Sequence, residues 1–503
     1  MLSLFSPDFF GNPVTGNFWG KIGYQESTGY FGIVVLTFFI YGAYKAIKDK
    51  HPDQIFLLIL FFASLILIID SPVSRFIYTY KIPILSTSYA TRIFLITDFS
   101  AAILAVYGFS KLKNNKSLIL RVTTYTLAIL IGIELGVAIV LKIAKDANLL
   151  DFNKYEIINY SIAFKNTLVP IGIVFALLTV IKVFFNKKYF FISFIIFLTL
   201  IDLLRFDMKF NILIDRKLIY SSSPIFDFLQ NNLGFYRFDK ERAEIIPPNT
   251  WIPYKIMSPS GYDPLHTLNY SYFHNLYNNR KPDSGASRYE ELSSYTSPIV
   301  DLAGVKYIAA IRRNSLGIIS QTDYAYPQEL KDSKFKRAFE DKSVIILENT
   351  SVMPRVNLFE FYDVENNSLL ALYKLHQGYD FRKRIILDKD VQIQRLKVSL
   401  ADQAKITDYS SNQVTISSKT DNPSILMLTD AYYPGWEARV DGIKTKIYQA
   451  DGIFRAIILP SGSHKIIFNY KPLSFKLGLT LSLSSAFILL ILFFLSKKKK
   501  LYF

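Results

Sequence analysis

Apolar residues dominate this chain in runs of helical length. Seven such runs stand at about Thr28–Lys45, Ile55–Ile69, Ile93–Leu112, Leu118–Leu141, Asn166–Phe185, Tyr189–Phe206 and Leu473–Ser496. Each approaches the ~20 residues that a helix needs to cross the hydrocarbon core, the second being the shortest. A helix satisfies its own backbone hydrogen bonds in lipid. The pattern therefore predicts seven membrane spans rather than the buried helices of a water-soluble protein, six of them in a multi-span domain over residues 1–206.

Between the sixth and seventh runs the pattern changes. Pro224–Leu233 reads as a short amphipathic helix. Phe235–Phe238, Val305–Ile311 and Val344–Leu347 read as strands, with Ser297–Leu302 leading into the second of them. These elements predict an α/β domain over residues 207–385. Within it Pro247–Arg288, rich in Pro, Asn, Tyr and Ser, reads as a long loop. From 386 to 472 strand-like alternation is punctuated by Asp441-Gly442, Asp451-Gly452 and Ser461-Gly462. Asp-Gly suits a hairpin because both turn residues need positive φ. Ile466, Phe468 and Tyr470 share one face. The region predicts an antiparallel meander forming half of a β-sandwich. Its last strand runs straight into the final apolar run, a C-terminal transmembrane helix over 473–496, so the sandwich should stand close to the bilayer. Residues 497–503 form a basic tail.

Charge orients this arrangement. The net charge of the 503 residues is +17, but the lysines sit at the ends of apolar runs, which argues against nucleic acid as a partner and for membrane lipids. Lys45, Lys48 and Lys50, then Lys111, Lys113 and Lys116, then Lys187 and Lys188, and finally Lys497–Lys500 fall on alternate loops. By the positive-inside rule these loops are cytoplasmic, which makes residues 207–472 an extracytoplasmic region of a multi-pass plasma-membrane protein. The absence of cysteine excludes disulfides, and the five histidines show no metal-ligand spacing, so no metal is expected. No phosphate-cradling glycine loop or dinucleotide fingerprint occurs, so no cofactor and no nucleotide-sugar donor is expected. The chain opens on Ser6-Pro7-Asp8-Phe9-Phe10-Gly11-Asn12-Pro13, without the pattern of a signal peptide. The simplest expectation is the C-terminal part of a longer protein.

Three acids fall inside predicted spans: Asp98, Glu134 and Asp202. By the topology above each lies in the outer half of the bilayer, with Arg92, Lys142 and Arg205 near the same outer ends. Two readings stay open. One is an aqueous cleft in which the basic groups hold a lipid phosphate and an acid positions an acceptor; the other is a set of structural ion pairs between packed helices. Arg75 and Arg92 flank Tyr80-Lys81-Ile82-Pro83 at the outer interface, where arginine suits bidentate phosphate contact or snorkels to headgroups. Glu26, before the first span, is a weaker acidic candidate. Tyr432, Tyr433 and Trp436 either stack on sugar rings or pack at a Pro-Gly turn.

The stretch Thr429-Asp430-Ala431-Tyr432-Tyr433-Pro434-Gly435-Trp436-Glu437-Ala438-Arg439-Val440-Asp441-Gly442, followed by Phe454-Arg455-Ala456 and Gly462-Ser463-His464-Lys465, resembles the C-terminal signature of the YfhO-type bacterial membrane proteins. Further pieces fit in order: Pro7–Gly20, Tyr30-Phe31-Gly32, Asp301–Ile308, and Glu348-Asn349 followed by Met353-Pro354-Arg355. The resemblance implies a GT-C-like glycosyltransferase. Such an enzyme moves a sugar from a polyprenyl-phosphate carrier to a cell-envelope glycan or polymer, such as teichoic acid, on the outer face. In GT-C enzymes the key acid lies in the first external loop, a region expected to be missing here, so the resemblance assigns no catalytic residue. The competing reading is a non-enzymatic envelope protein: a flippase or transporter component for lipid-linked glycans, or an assembly factor.

Overall fold

A computed structural model describes residues 2–20, 23–83, 85–86, 90–146, 154–211, 213–220, 222–243, 245–312, 327–391 and 397–499. The chain forms two compact units, residues 1–215 and 216–503.

The first unit is helical. Among the described residues five helices of the chain are long and apolar enough to cross a membrane: Ala90–Ser110, Lys116–Val140, Ile158–Phe184, Lys188–Asp207 and, in the second unit, Leu473–Leu495. A sixth span results if Pro52–Ile68 and Pro72–Thr79, bent by 61° at their break, count as one. This corrects the expected seven. The helix Ile33–Lys48 has 16 residues, about 24 Å at the usual rise. Its Ile33, Val34, Leu36, Phe38, Phe39 and Tyr41 side chains are buried, pointing around much of its circumference. A continuous apolar stretch reads the same whether lipid or neighbouring helices surround it, so the sequence does not separate the two cases. The bend after Ile68 also has a local cause. Ser71 and Ser74 form a reciprocal capping box and Pro72 opens the next helix, so a new helix starts where the old one would have continued. Helices Ile33–Lys48 and Phe94–Ser110 cross at two glycines. A Cβ on Gly42 would lie 2.0 Å from the Leu104 carbonyl oxygen, and one on Gly108 2.5 Å from that of Phe38. Only glycine permits this approach of backbones.

The second unit joins a small α/β sheet to a sandwich. The sheet orders the strands Arg237–Lys240, Val305–Ile311, Val344–Asn349 and Phe335–Glu340, the first pair parallel and the others antiparallel. The helix Pro224–Asn232 packs its Ile225 and Leu229 into a core shared with Phe238, Tyr307 and Ile346 of this sheet. The expected long loop Pro247–Arg288 is corrected in part, because it holds the helix Leu268–Tyr277. Its Tyr-, Asn- and His-rich sequence has weak helix propensity. Phe273, Leu276 and Tyr277 are buried in the large core and fix the helix by packing.

Two sheets form the sandwich. The five-stranded one runs Gln403–Ser410, Gln413–Thr420, Gly462–Tyr470, Trp436–Val440, Ile443–Thr445. The six-stranded one runs Val356–Phe359, Ser424–Ala431, Phe454–Leu459, Tyr448–Ala450, Arg384–Leu387, Phe361–Val364. Val414, Ile416, Leu426, Leu428, Ile457, Ile466 and Phe468 close the space between them. Three strands drawn from residues 356–387 thus belong to a sheet that continues past residue 385. The Asp-Gly turns behave as expected, with φ of 49° and 85° at Asp441-Gly442 and 49° and 74° at Asp451-Gly452. The continuous meander does not form. The two hairpins lie in different sheets, and the chain crosses between sheets at residues 446–447 and again at Pro460-Ser461. Alternation tells which side chains face inward but not which strand supplies the ladder, and Pro460 has no N–H to extend one.

Candidate functional site

In the helical unit, one carboxylate is both buried and held by a set of polar partners drawn from distant parts of the chain. Asp8 sits in the turn-rich N-terminal loop and is 1% exposed. Tyr24 and Asn12 donate to its Oδ1 at 2.7 and 3.0 Å, and the Lys209 ammonium donates to its Oδ2. Its backbone carbonyl accepts from the Asn166 amide at 2.6 Å, and Ser6 Oγ donates to the Asn166 carbonyl at 3.2 Å. The loop is rigid for local reasons. Asn12 caps the short 3-10 turn Pro13–Thr15 and Asn17 Oδ1 accepts from Asn12 N–H at 2.8 Å. Gly11 takes φ of +77° with no room for a Cβ beside Asn17. Phe9 packs with Val137 and Ala163 of the long helices, and Phe10 meets Trp19 edge-on. Burial alone would raise the Asp8 pKa, but the Lys209, Tyr24 and Asn12 hydrogen bonds hold it below the ordinary value, so the acid is ionised. Lys209, with 28% of its side chain exposed, is the face this network offers to its surroundings. Neither Asp8 nor Lys209 stands out in sequence. The available signal was an acid between Pro7 and Phe9 in a loop dense in turn formers, and only the fold supplies its base 201 residues away.

The acids expected inside spans have two kinds of surroundings. Asp202 accepts from the Tyr30 hydroxyl at 2.5 Å and from the Ile33 N–H at 2.7 Å. It thereby caps the helix Ile33–Lys48, whose N-cap position, Gly32, has no side chain to do so. Asp98 has a buried Oδ1, and Glu134 two buried oxygens, with no hydrogen-bond partner among the described residues. The basic candidates do not pair with them there. Arg92 instead meets Glu26 at 3.4 Å, bringing together two candidates 66 residues apart. Arg75 is exposed and makes a bidentate contact with Asp70 at 2.7 and 2.8 Å. Lys142 is exposed, and Arg205 Nε is buried without a hydrogen-bond partner among the described residues.

In the second unit, the signature residues converge. Asp430 accepts from Arg237 at 2.9 Å, from Arg455 at 2.8 Å, from Tyr409 at 3.1 Å and from Arg355. The Arg455 guanidinium lies 3.8 Å from the Trp436 ring centroid, with Phe468 beyond. Burial would raise the Asp430 pKa, but Arg355, Arg455 and Arg237 hold it down at about 2. A neighbouring knot repeats the arrangement. Asp301 accepts from Asn349 at 2.7 Å, Arg382 at 2.8 Å and Lys334 at 3.3 Å. These contacts bind the α/β sheet to the sandwich, since Arg237 opens a strand of one and Asp430 lies on a strand of the other. Trp436 is half-buried against Arg455 and Tyr470, while Tyr432 and Tyr433 are exposed. Among the described residues no group of His, Cys, Asp and Glu is arranged to hold a metal ion.

Residues 388–482 match the family model described as bacterial membrane protein YfhO. A relative from Bacillus subtilis (strain 168), named uncharacterized protein YfhO, is 28% identical over 123 residues, which is 24% of this chain and 14% of the relative. The matched stretch thus spans about one seventh of that relative's length. No solved structure matches the chain. The matched region contains the hairpins, Asp430, Trp436 and Arg455, and it ends inside the last apolar helix. Over residues 388–482 the chain is thus similar to the YfhO bacterial membrane proteins, and its membrane-length helices agree with a membrane protein of that type.

Proposed function

We propose that the chain is a membrane glycosyltransferase of the GT-C type, or the C-terminal portion of one. It transfers a sugar from a polyprenyl-phosphate carrier to a cell-envelope glycan or polymer on the outer face, where the large domain also stands. The observation that carries this reading is the buried, ionised Asp8 with Lys209 beside it at the edge of the helical unit. The carrier phosphate meets the Lys209 ammonium first. Drawing that ammonium toward the phosphate frees Asp8 Oδ2 to accept the proton of an acceptor hydroxyl. The new bond forms from the acceptor oxygen to the sugar C1, the C1–phosphate bond breaks, and polyprenyl phosphate leaves with the electron pair. Tyr24 and Asn12 keep the carboxylate aimed during the transfer. Family kinship, the apolar helices and the absence of a nucleotide-binding motif all favour a lipid-linked donor.

The test is transfer from a radiolabelled polyprenyl-phosphate sugar to envelope polymer, in membranes containing the full chain. Asp8→Asn should lower transfer by about 100-fold or more, the scale of losing a positioned base, with thermal stability retained. Lys209→Gln should raise KM for the carrier more than it lowers kcat. An active parent chain whose Asp8→Asn variant transfers normally removes Asp8 from the chemistry. A parent chain with no transfer from any polyprenyl-phosphate sugar, in membranes where a known transferase works, ends the enzymatic reading.

A further inference from the structure

The loop Tyr432–Trp436 is fastened to the root of the last helix. Strand Gly462–Tyr470 ends two residues before the helix Leu473–Lys499 begins. Lys471 N–H donates to the Gly435 carbonyl at 2.7 Å. Gly435 has φ of +104°, and a Cβ there would lie 3.0 Å from Pro472 Cα, so the loop and the strand-to-helix junction touch backbone to backbone. Trp436 pairs with Tyr470 in the sheet register and their rings lie 5.3 Å apart, with the Tyr433 ring 6.5 Å from Tyr470. Tyr432 and Tyr433 keep 39% and 48% of their surface exposed. From Leu473 to Leu495 the helix is apolar apart from Lys476, and among the described residues its apolar window is not buried.

We propose that Tyr432, Tyr433 and Tyr470, backed by Trp436, form an aromatic collar that seats the sandwich in the lipid headgroup layer around the emerging helix. The partner is the bilayer surface itself. Chain continuity favours it, because the residues that touch Pro472 lie at the root of an apolar helix of membrane-crossing length. Tyrosine rings with one apolar body and one hydroxyl favour that depth. Lys471 and Lys476 flank the same point and reach headgroup phosphates. The collar also accounts for the half-buried Trp436. It stacks on Arg455, which is tied to Asp430, so the loop is held rigidly at the membrane by the buried charge cluster. A glycan stacking on Tyr432 and Tyr433 would have to displace lipid to do so.

The chain has no cysteine, so single thiols can be placed cleanly. Tyr433→Cys and Ser461→Cys in the full chain are labelled with bimane and reconstituted in vesicles of phosphatidylethanolamine and phosphatidylglycerol. Ser461 is exposed at the other end of the nine-residue strand Gly462–Tyr470, about 30 Å away. Nitroxide carried on the lipid headgroup should quench the label at 433 several-fold more than the label at 461, and more than mid-chain nitroxide does. Tyr432→Cys repeats the measurement, so misfolding of one variant leaves the other informative. Equal quenching at 433 and 461 overturns the collar. Quenching at 433 by a nitroxide-bearing oligosaccharide, but not by lipid, also overturns it and assigns the rings to sugar.

Discussion

Replacing Asp430 with alanine strips the carboxylate that three guanidinium groups share. Arg355 and Arg455 are 3% and 2% exposed, and Arg237 donates to the same carboxylate at 2.9 Å. Burial and Arg355 pull the Arg237 pKa down only to about 10, so it stays charged at neutral pH. The carboxyl held at about 2 against an ordinary 3.8 corresponds to about 2 kcal/mol of stabilisation. Truncation costs more than that, because two buried arginines and the largely covered Arg237 lose their shared anion. The expected loss is about 3–5 kcal/mol, or on the order of 10 °C in Tm for a domain of this size. Asp430→Asn keeps the shape and one acceptor oxygen, so it should lose less. Of the three tryptophans, Trp251 and Trp436 lie in the second unit. Thermal unfolding of the full chain in detergent, followed by tryptophan fluorescence in a Trp19→Phe background, therefore reports that unit. The pH dependence carries the same signature. The folded pKa lies below the unfolded one, so the contribution is complete above about pH 4 and is lost as pH falls toward 2. The alanine variant should lack that slope. A Tm for Asp430→Ala within about 2 °C of the parent would refute the idea that this carboxylate holds the α/β sheet to the sandwich.

Two other perturbations have clear directions. Asp451 accepts from Ile386 N–H at 2.9 Å, its other oxygen is buried without a hydrogen-bond partner among the described residues, and burial pushes its pKa up to about 7. Its folded pKa exceeds the unfolded value, so stability should fall as pH rises from about 4 to 7, by roughly 4 kcal/mol at most; Asp451→Asn should flatten that slope in a Tm-against-pH series, and an unchanged slope would point to another group. Gly42→Ala should drive a methyl group into the Leu104 carbonyl, 2.0 Å from the new Cβ, and separate helices Ile33–Lys48 and Phe94–Ser110; a lowered Tm in the Trp19-bearing parent background, with the second unit's transition unmoved, is the expected reading, and an unchanged Tm would show that the crossing relaxes freely.

Legibility followed the range of the interaction that decides each feature. The strand Val305–Ile311 and the Asp-Gly turns were readable because burial and positive φ are imposed residue by residue. The helix Ile33–Lys48 was readable as apolar and helical, but whether lipid or protein surrounds it depends on its neighbours. The helix Leu268–Tyr277 was hidden because its own propensity is poor and the Phe273 and Tyr277 burial that forms it is tertiary. The sites divide in the same way. Asp202 is legible as a charge inside an apolar run, yet its work as a cap depends on Gly32 and Ile33, 169 residues from it at the hydrogen bond to Ile33. Asp8 is not legible in the sequence because Lys209, Asn166 and Tyr24 reach it only in the fold. The signature around Asp430 is legible as a string, and its physical content lies in Arg237, from outside that string, joining Arg355 and Arg455 on one carboxylate. A sequence motif spaced over a hundred residues is thus explained by a point: one buried acid that can meet three arginines only if two layers of the domain are in register.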